Sequence, residues 1–170
     1  EIVDCDWSSD VCSSDLKKMS KIITVGAEGV NLIKEFEGFK SKPYKCPAGI
    51  PTIGYGATFY PNGKKVTMSD PAITEQQATD MLRHMLENFE KYVDSYCIDT
   101  INQNQFDALV SFCYNVGPAN LKSSTLLKKV NKDPNDPIIR AEFMKWVKGG
   151  GKTLPGLVRR REAEANLYFK

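Results

Sequence analysis

Leu32-Ile33-Lys34-Glu35-Phe36-Glu37-Gly38, with the turn-rich run behind it, decides how this chain is read. Val30, Leu32, Ile33 and Phe36 mark one apolar face of a helix, and Gly38 is placed to end it. From Phe39 to about Lys65 the texture changes. Pro43, Pro47, Gly49, Pro51, Gly54 and Gly56 punctuate short runs such as Thr52-Ile53, and Pro61 and Gly63 follow Thr58-Phe59-Tyr60. That texture predicts tight turns and a small antiparallel sheet, with Asn62-Gly63 as a hairpin-turn pair.

Everything further along reads helical. Thr74 with Gln77 makes a capping box. Behind it Ala78, Met81, Leu82, Met85, Phe89, Tyr92, Val93 and Tyr96 recur at steps of three and four. The helix so predicted has about 22 residues, roughly 33 Å, which is long enough to bridge two lobes. Phe106, Leu109, Val110 and Cys113 suggest another, and Leu126, Leu127 and Val130 a third. One more is expected from Asp136-Pro137 to Val147, and a last one from about Leu157 to Phe169. The expectation is an α+β fold: a small N-terminal sheet lobe and a helical C-terminal lobe, joined by the long helix, with a cleft between.

The chain's 170 residues suit one domain with a real core, and 41% apolar with 26% charged content is ordinary for a globular protein. No run approaches the ~18 apolar residues of a membrane span, and residues 22–27 are too short for an anchor. Residues 1–18 stand apart. They repeat Ser-Ser-Asp, show neither helical nor strand periodicity, and lack the basic start and apolar stretch of a secretory signal. They are set aside as a non-native or disordered leader, leaving residues 19–170 as the domain. The leader holds five acids and two bases, so the remainder, with 21 basic and 16 acidic residues, carries +5 rather than the +2 of the whole chain. Such a body suits an anionic polymer, cell wall or nucleic acid alike. Cys46, Cys97 and Cys113, the cysteines outside the leader, form no CxxC spacing and suggest neither a disulfide framework nor a zinc site. No metal constellation or phosphate-binding loop is visible, so no cofactor is expected.

Glu37 is the residue with a chemical argument of its own. At the end of the first helix, unpaired carbonyls disfavour a carboxylate and hold a proton on. Phe36 and Phe39 flank it and restrict its hydration. A lone glutamate at a helix end is ordinarily a solvated surface residue, and Glu35, two positions earlier and on another face, is read that way. What singles Glu37 out is its company: Tyr44, then Thr52-Ile53-Gly54-Tyr55-Gly56, then Ser111-Phe112-Cys113-Tyr114-Asn115-Val116-Gly117, Ser124-Thr125-Leu126-Leu127, and Leu154-Pro155-Gly156-Leu157-Val158-Arg159-Arg160-Arg161. From residue 26 to the end, this ordered set resembles the phage-type lysozymes, glycoside hydrolase family 24. That family carries a Glu, eight residues, an Asp or Cys, five residues, and a Thr; Glu37, Cys46 and Thr52 keep those spacings.

The resemblance implies a monomeric muramidase acting on peptidoglycan strands, waiting in the host cytoplasm until the inner membrane opens. Basic residues are scattered rather than striped apart from the arginine triplet, so no nucleic-acid partner is expected, and the lack of a long apolar run speaks against stable membrane insertion. Glu37 would protonate the glycosidic oxygen and Thr52 would help hold the attacking water, with inversion at the anomeric carbon. Cys46 stands where the usual member has an aspartate. Three readings stay open: a thiolate helped by Lys45, a weak base whose shortfall is tolerated, or chemistry resting mainly on Glu37. A wall-binding protein that cuts weakly or not at all is the alternative function. Tyr55, Tyr114 and Asn115 fall where family members line the saccharide cleft, though core packing is the competing role. Arg159, Arg160 and Arg161 open the last helix, where cations call for a partner; one of them could approach Glu37 across the cleft, or the triplet is a solvated basic face. His84 is the single histidine; a Cys-His dyad with Cys46, Cys97 or Cys113 lacks a third partner, and a structural or solvated role is expected.

Overall fold

In the computed structural model, which describes residues 21–98 and 100–170, the first helix is α1, Ala27–Glu37. The leader, residues 1–18, lies outside the described residues. Gly38 ends α1 as expected: its φ of 71° suits a residue without Cβ, and its N–H returns to the Lys34 carbonyl at 3.0 Å. The small sheet follows. Strand β1, Lys40–Lys45, pairs antiparallel with β2, Pro51–Gly54, setting Tyr44 opposite Thr52. Bridges Ile53–Ala57 and Phe59–Lys65 extend the meander, and the turn through Asn62-Gly63 closes the second. Ile53, Ala57, Val66 and Met81 form the small lobe's own apolar core.

Helix α2, Glu75–Tyr96, has 22 residues and opens on the expected capping box. The Gln77 N–H donates to Thr74 Oγ1 at 3.1 Å, and the Thr74 N–H to Gln77 Oε1 at 2.8 Å. It joins the lobes. Met81 packs into the small core, whereas Leu82, Leu86 and Val93 belong to the large one. Helix α3, Gln103–Val116, is the axis of the large lobe and is buried from Gln105 through Cys113. A helix apolar nearly all round must be covered on every side. The covering helices are α1, α2, α4 (Pro118–Ser123) and α7 (Pro155–Tyr168). Helices α5, Thr125–Lys132, and α6, Ile138–Met144, complete the lobe, and β3 (Lys148–Gly149) pairs with β4 (Lys152–Thr153) before α7.

The structure departs from the sequence reading in four places. Helix α4, started by Pro118, and the β3–β4 hairpin were not foreseen. The expected helix to Val147 stops at Met144. There the Lys145 and Trp146 N–H groups turn back to carbonyls three residues behind, and the Trp146 ring swings edge-on to Phe112 at 5.5 Å. The last helix starts at Pro155, whose missing N–H suits a first helical position.

Polar groups recur every four residues along α3. Gln103 Nε2 donates to the Thr24 carbonyl and to Asp107 Oδ1. Asp107 accepts from the N–H groups of Gly26 at 2.8 Å and Gly29 at 3.1 Å, capping α1, whose own N-cap residue Gly26 has no side chain to do so. Gly29 permits that approach: a Cβ there would meet Asp107 Cβ at 2.7 Å. Ser111 and Asn115 continue the row, donating to Glu164 and accepting from Arg161. No helix among the described residues is long and apolar enough to cross a membrane.

Candidate active site

Glu37 is the last residue of α1, and its side chain lines a cavity formed with the last helix and Asn115. Its carboxyl is 25% exposed, and Oε1 accepts from Arg160 Nη1 at 2.7 Å. Arg160 is thus the member of the triplet that approaches Glu37. Arg161 is wholly buried and Arg159 is exposed. A cavity of about 750 Å³ opens beside the pair, walled by Phe36, Glu37, Asn115, Leu157, Arg160 and Ala163.

Two phenols close in on Glu37 from other elements. Burial pushes the Tyr44 hydroxyl above its ordinary range, and the negative charges of Cys46 and Glu37 add to the push. Burial likewise raises Tyr114, with Glu37 raising it further and Arg160 opposing. The Tyr114 hydroxyl donates to the Tyr55 carbonyl at 3.2 Å, and its ring stands edge-on to Phe89. Both act as neutral donors near neutral pH.

Cys46 begins the turn between β1 and β2. Its thiol is pulled below the ordinary range chiefly by the Ile50 N–H, then by the Ala48 N–H and the Thr52 hydroxyl, against an opposing effect of burial. The thiolate is favoured by peptide N–H groups rather than by Lys45, the helper suggested by the sequence. Thr52 is buried, and its hydroxyl donates to the Ile50 carbonyl at 2.9 Å. One hydroxyl proton cannot serve both neighbours, so Cys46 and the Ile50 carbonyl compete for it.

The remaining expectations divide. Asn115 is exposed on the cavity wall, its Oδ1 held by Arg161 Nη2 at 2.9 Å. Tyr55 is turned inward. It is 3% exposed, its hydroxyl donates to Glu75 Oε1 at 3.0 Å, and Lys34 lies 5.4 Å over its ring. Phe39 also packs against its ring at 5.7 Å, so Tyr55 offers no open face for a sugar to stack on. His84 lies exposed on α2 next to Glu87, and no histidine contributes to the environment of Cys46. Among the described residues no cluster of three or more potential ligands could hold a metal.

Sequence reasoning did not find Glu164 or Ser111. Glu164 is 0% exposed on α7 and takes Arg160 Nε at 3.2 Å, Arg161 Nη2 at 3.1 Å and the Ser111 hydroxyl at 2.7 Å, all on Oε1. Arg161 Nε sits 2.8 Å from Oε2. Burial pushes this carboxyl up while the two guanidiniums oppose it. The visible signal was the spacing of Arg160 and Arg161 at four and three residues before Glu164.

The cysteines should separate cleanly by reactivity. Burial drives both Cys97 and Cys113 to about 12, whereas Cys46 is lowered and partly exposed. Iodoacetamide on the native protein at neutral pH, followed by peptide mass mapping, should label Cys46 at least ~10-fold faster than Cys97 or Cys113. Equal labelling of the three would contradict the geometry.

A small twisted sheet lobe, a long connecting helix and a helical lobe, with a carboxyl at the end of the first helix facing the cleft, define the α+β lysozyme fold. Residues 34–164 match the phage lysozyme family, and the chain belongs to it. It is 42% identical over 147 residues to the endolysin of Bacillus phage B103, covering 86% of this chain and 54% of that protein, so it spans about half that relative's length. The structure of the endolysin from Escherichia coli O157:H7 phage FAHEc1 superposes with a TM-score of 0.77 at 37% identity, covering 85% of this chain and 92% of that one. A mutant of the P22 lysozyme gives 0.79 at 31% identity, covering 88% and 100%.

Proposed function

We propose that this chain is a muramidase that hydrolyses the β-1,4 bond between N-acetylmuramic acid and N-acetylglucosamine in peptidoglycan. The observation that carries this reading is the placement of Glu37, at a helix end and at the cavity wall, in a chain of the phage lysozyme family. Glu37 gives its proton to the leaving oxygen as the glycosidic bond breaks. The sugar passes through an oxocarbenium-like state, and water adds from the opposite face with inversion. Cys46, as thiolate, takes the proton from that water, oriented with help from Thr52. One proton leaves Glu37 and one arrives at Cys46, and exchange with solvent restores both. Asn115 hydrogen-bonds the glycan, and Tyr114 borders the same cleft. The names of the relatives fit an enzyme that reaches the wall once the host's inner membrane is breached.

The test is digestion of purified Gram-negative peptidoglycan with product analysis. New reducing ends should be N-acetylmuramic acid, appearing first as the α-anomer by NMR. Protein that cosediments with the wall and releases no reducing ends would make it a binding protein. N-acetylglucosamine ends would overturn the bond assignment, and an initial β-anomer would overturn inversion.

A further inference from the structure

Beneath Glu37 lies a buried charge cluster that the proposed reaction does not use directly. Arg160 is 5% exposed and bridges two carboxylates: Nη1 to Glu37 and Nε to Glu164. Glu164 also holds Arg161, which in turn holds Asn115 at the cavity wall. Glu164 thus stands behind Glu37 and Asn115, two of the polar groups on the cavity wall. With the assignment of Glu37 as proton donor as its premise, we infer that Glu164 is the positioning residue of the site, aiming Arg160 at Glu37 and Arg161 at Asn115 while balancing their charge.

The physical reasons are two. A guanidinium is a rigid planar fork, so fixing Nε on Glu164 fixes the direction in which Nη1 points. Glu37 is then held from behind by a group that cannot swing. The second reason is charge. Arg160 and Arg161 are buried next to each other, and Glu164 is the carboxylate that lies against both, so it balances charge that Glu37, bonded to Arg160 alone, does not. The other titratable or charged groups around Glu37 are Tyr44 on β1 and Tyr114 on α3, with Glu35, Arg159 and Glu162 around the same cavity. None of them touches Glu164 in the hydrogen-bond pattern described above.

Glu164→Gln keeps the shape and removes the charge. Measured on soluble peptidoglycan fragments, its kcat should fall at least ~10-fold with KM within about twofold, since small misplacements of a reacting group are costly. The alkaline limb of the kcat profile should move to lower pH, because Arg160 loses the second carboxylate that shares its charge. Tyr168→Phe, on the same helix but bonded only to the Pro134 carbonyl at 2.9 Å, is the stability control: it should lose melting temperature and keep the wild-type kcat and pH profile. If Glu164→Gln does not fold, Glu164→Asp takes its place; the charge stays, so the limb should stay, while the shortened side chain releases Arg160 and kcat falls. A folded Glu164→Gln with wild-type kcat and profile overturns the inference, as does Glu164→Asp with wild-type kcat. The premise fails separately, when folded Glu37→Gln remains as active as wild type.

Discussion

Glu37→Gln should clear a Gram-negative wall suspension at least ~1000-fold more slowly than wild type while keeping its fold. General acid catalysis contributes roughly 10²–10⁴ in rate, and the amide cannot donate a proton in its place. The fold should survive because the amide oxygen can still accept from Arg160 Nη1, and Arg160 keeps its second carboxylate, Glu164. Wall binding should survive too, since Asn115 and the rest of the cavity wall are untouched and the amide keeps the shape of the carboxyl. Circular dichroism, cosedimentation with peptidoglycan and a clearing assay on one preparation separate these effects. A folded, wall-bound variant that clears at a tenth of the wild-type rate or faster would show that the proton comes from elsewhere.

Asp107→Ala should be the most destabilising polar substitution distant from the cleft. The buried carboxylate accepts from the Gly26 and Gly29 N–H groups and from Gln103 Nε2 at 2.7 Å, and its removal leaves α1 without an N-terminal cap. Charge-assisted bonds to a helix N-terminus and the cost of unpaired buried donors together amount to about 3 kcal/mol. For a domain of this length that is a fall of roughly 6–12 °C in melting temperature. The folded fraction should retain its kcat, since the carboxylate acts on the start of α1 and Glu37 stands at its end. A melting temperature within about 2 °C of wild type would deny Asp107 that role.

How much of this was legible depended on how local the signal was. The Gly38 stop, the Thr74–Gln77 capping box and the 22-residue helix behind it rest on neighbours within four residues, and each stands where the sequence put it. Asn102 and Gln105 make a second capping box of the same kind that was not read, although its signal is equally local. The β3–β4 hairpin was hidden because two-residue strands carry no alternation to detect. At the site, Glu37 was found by its helix end, but its partner Arg160 lies 123 residues away, and nothing in the arginine triplet says which member points inward. For Tyr55 the sequence leaves two roles open, sugar contact and core packing. An aromatic in a turn-rich segment looks available to a sugar, yet the tertiary fold tucks it beneath Lys34 and bonds it to Glu75.

The four-residue row on α3 makes that helix a camshaft. Gln103, Asp107, Ser111 and Asn115 engage the chain before α1, the start of α1, the middle of α7 and the buried Arg161 in turn. Each added or deleted residue rotates everything beyond it by about 100°, so a single indel midway would put the later lobes out of timing with the earlier ones. Natural variation in chain length should therefore accumulate at the Asn62-Gly63 and Gly150-Gly151 tips, where nothing downstream has to stay in phase.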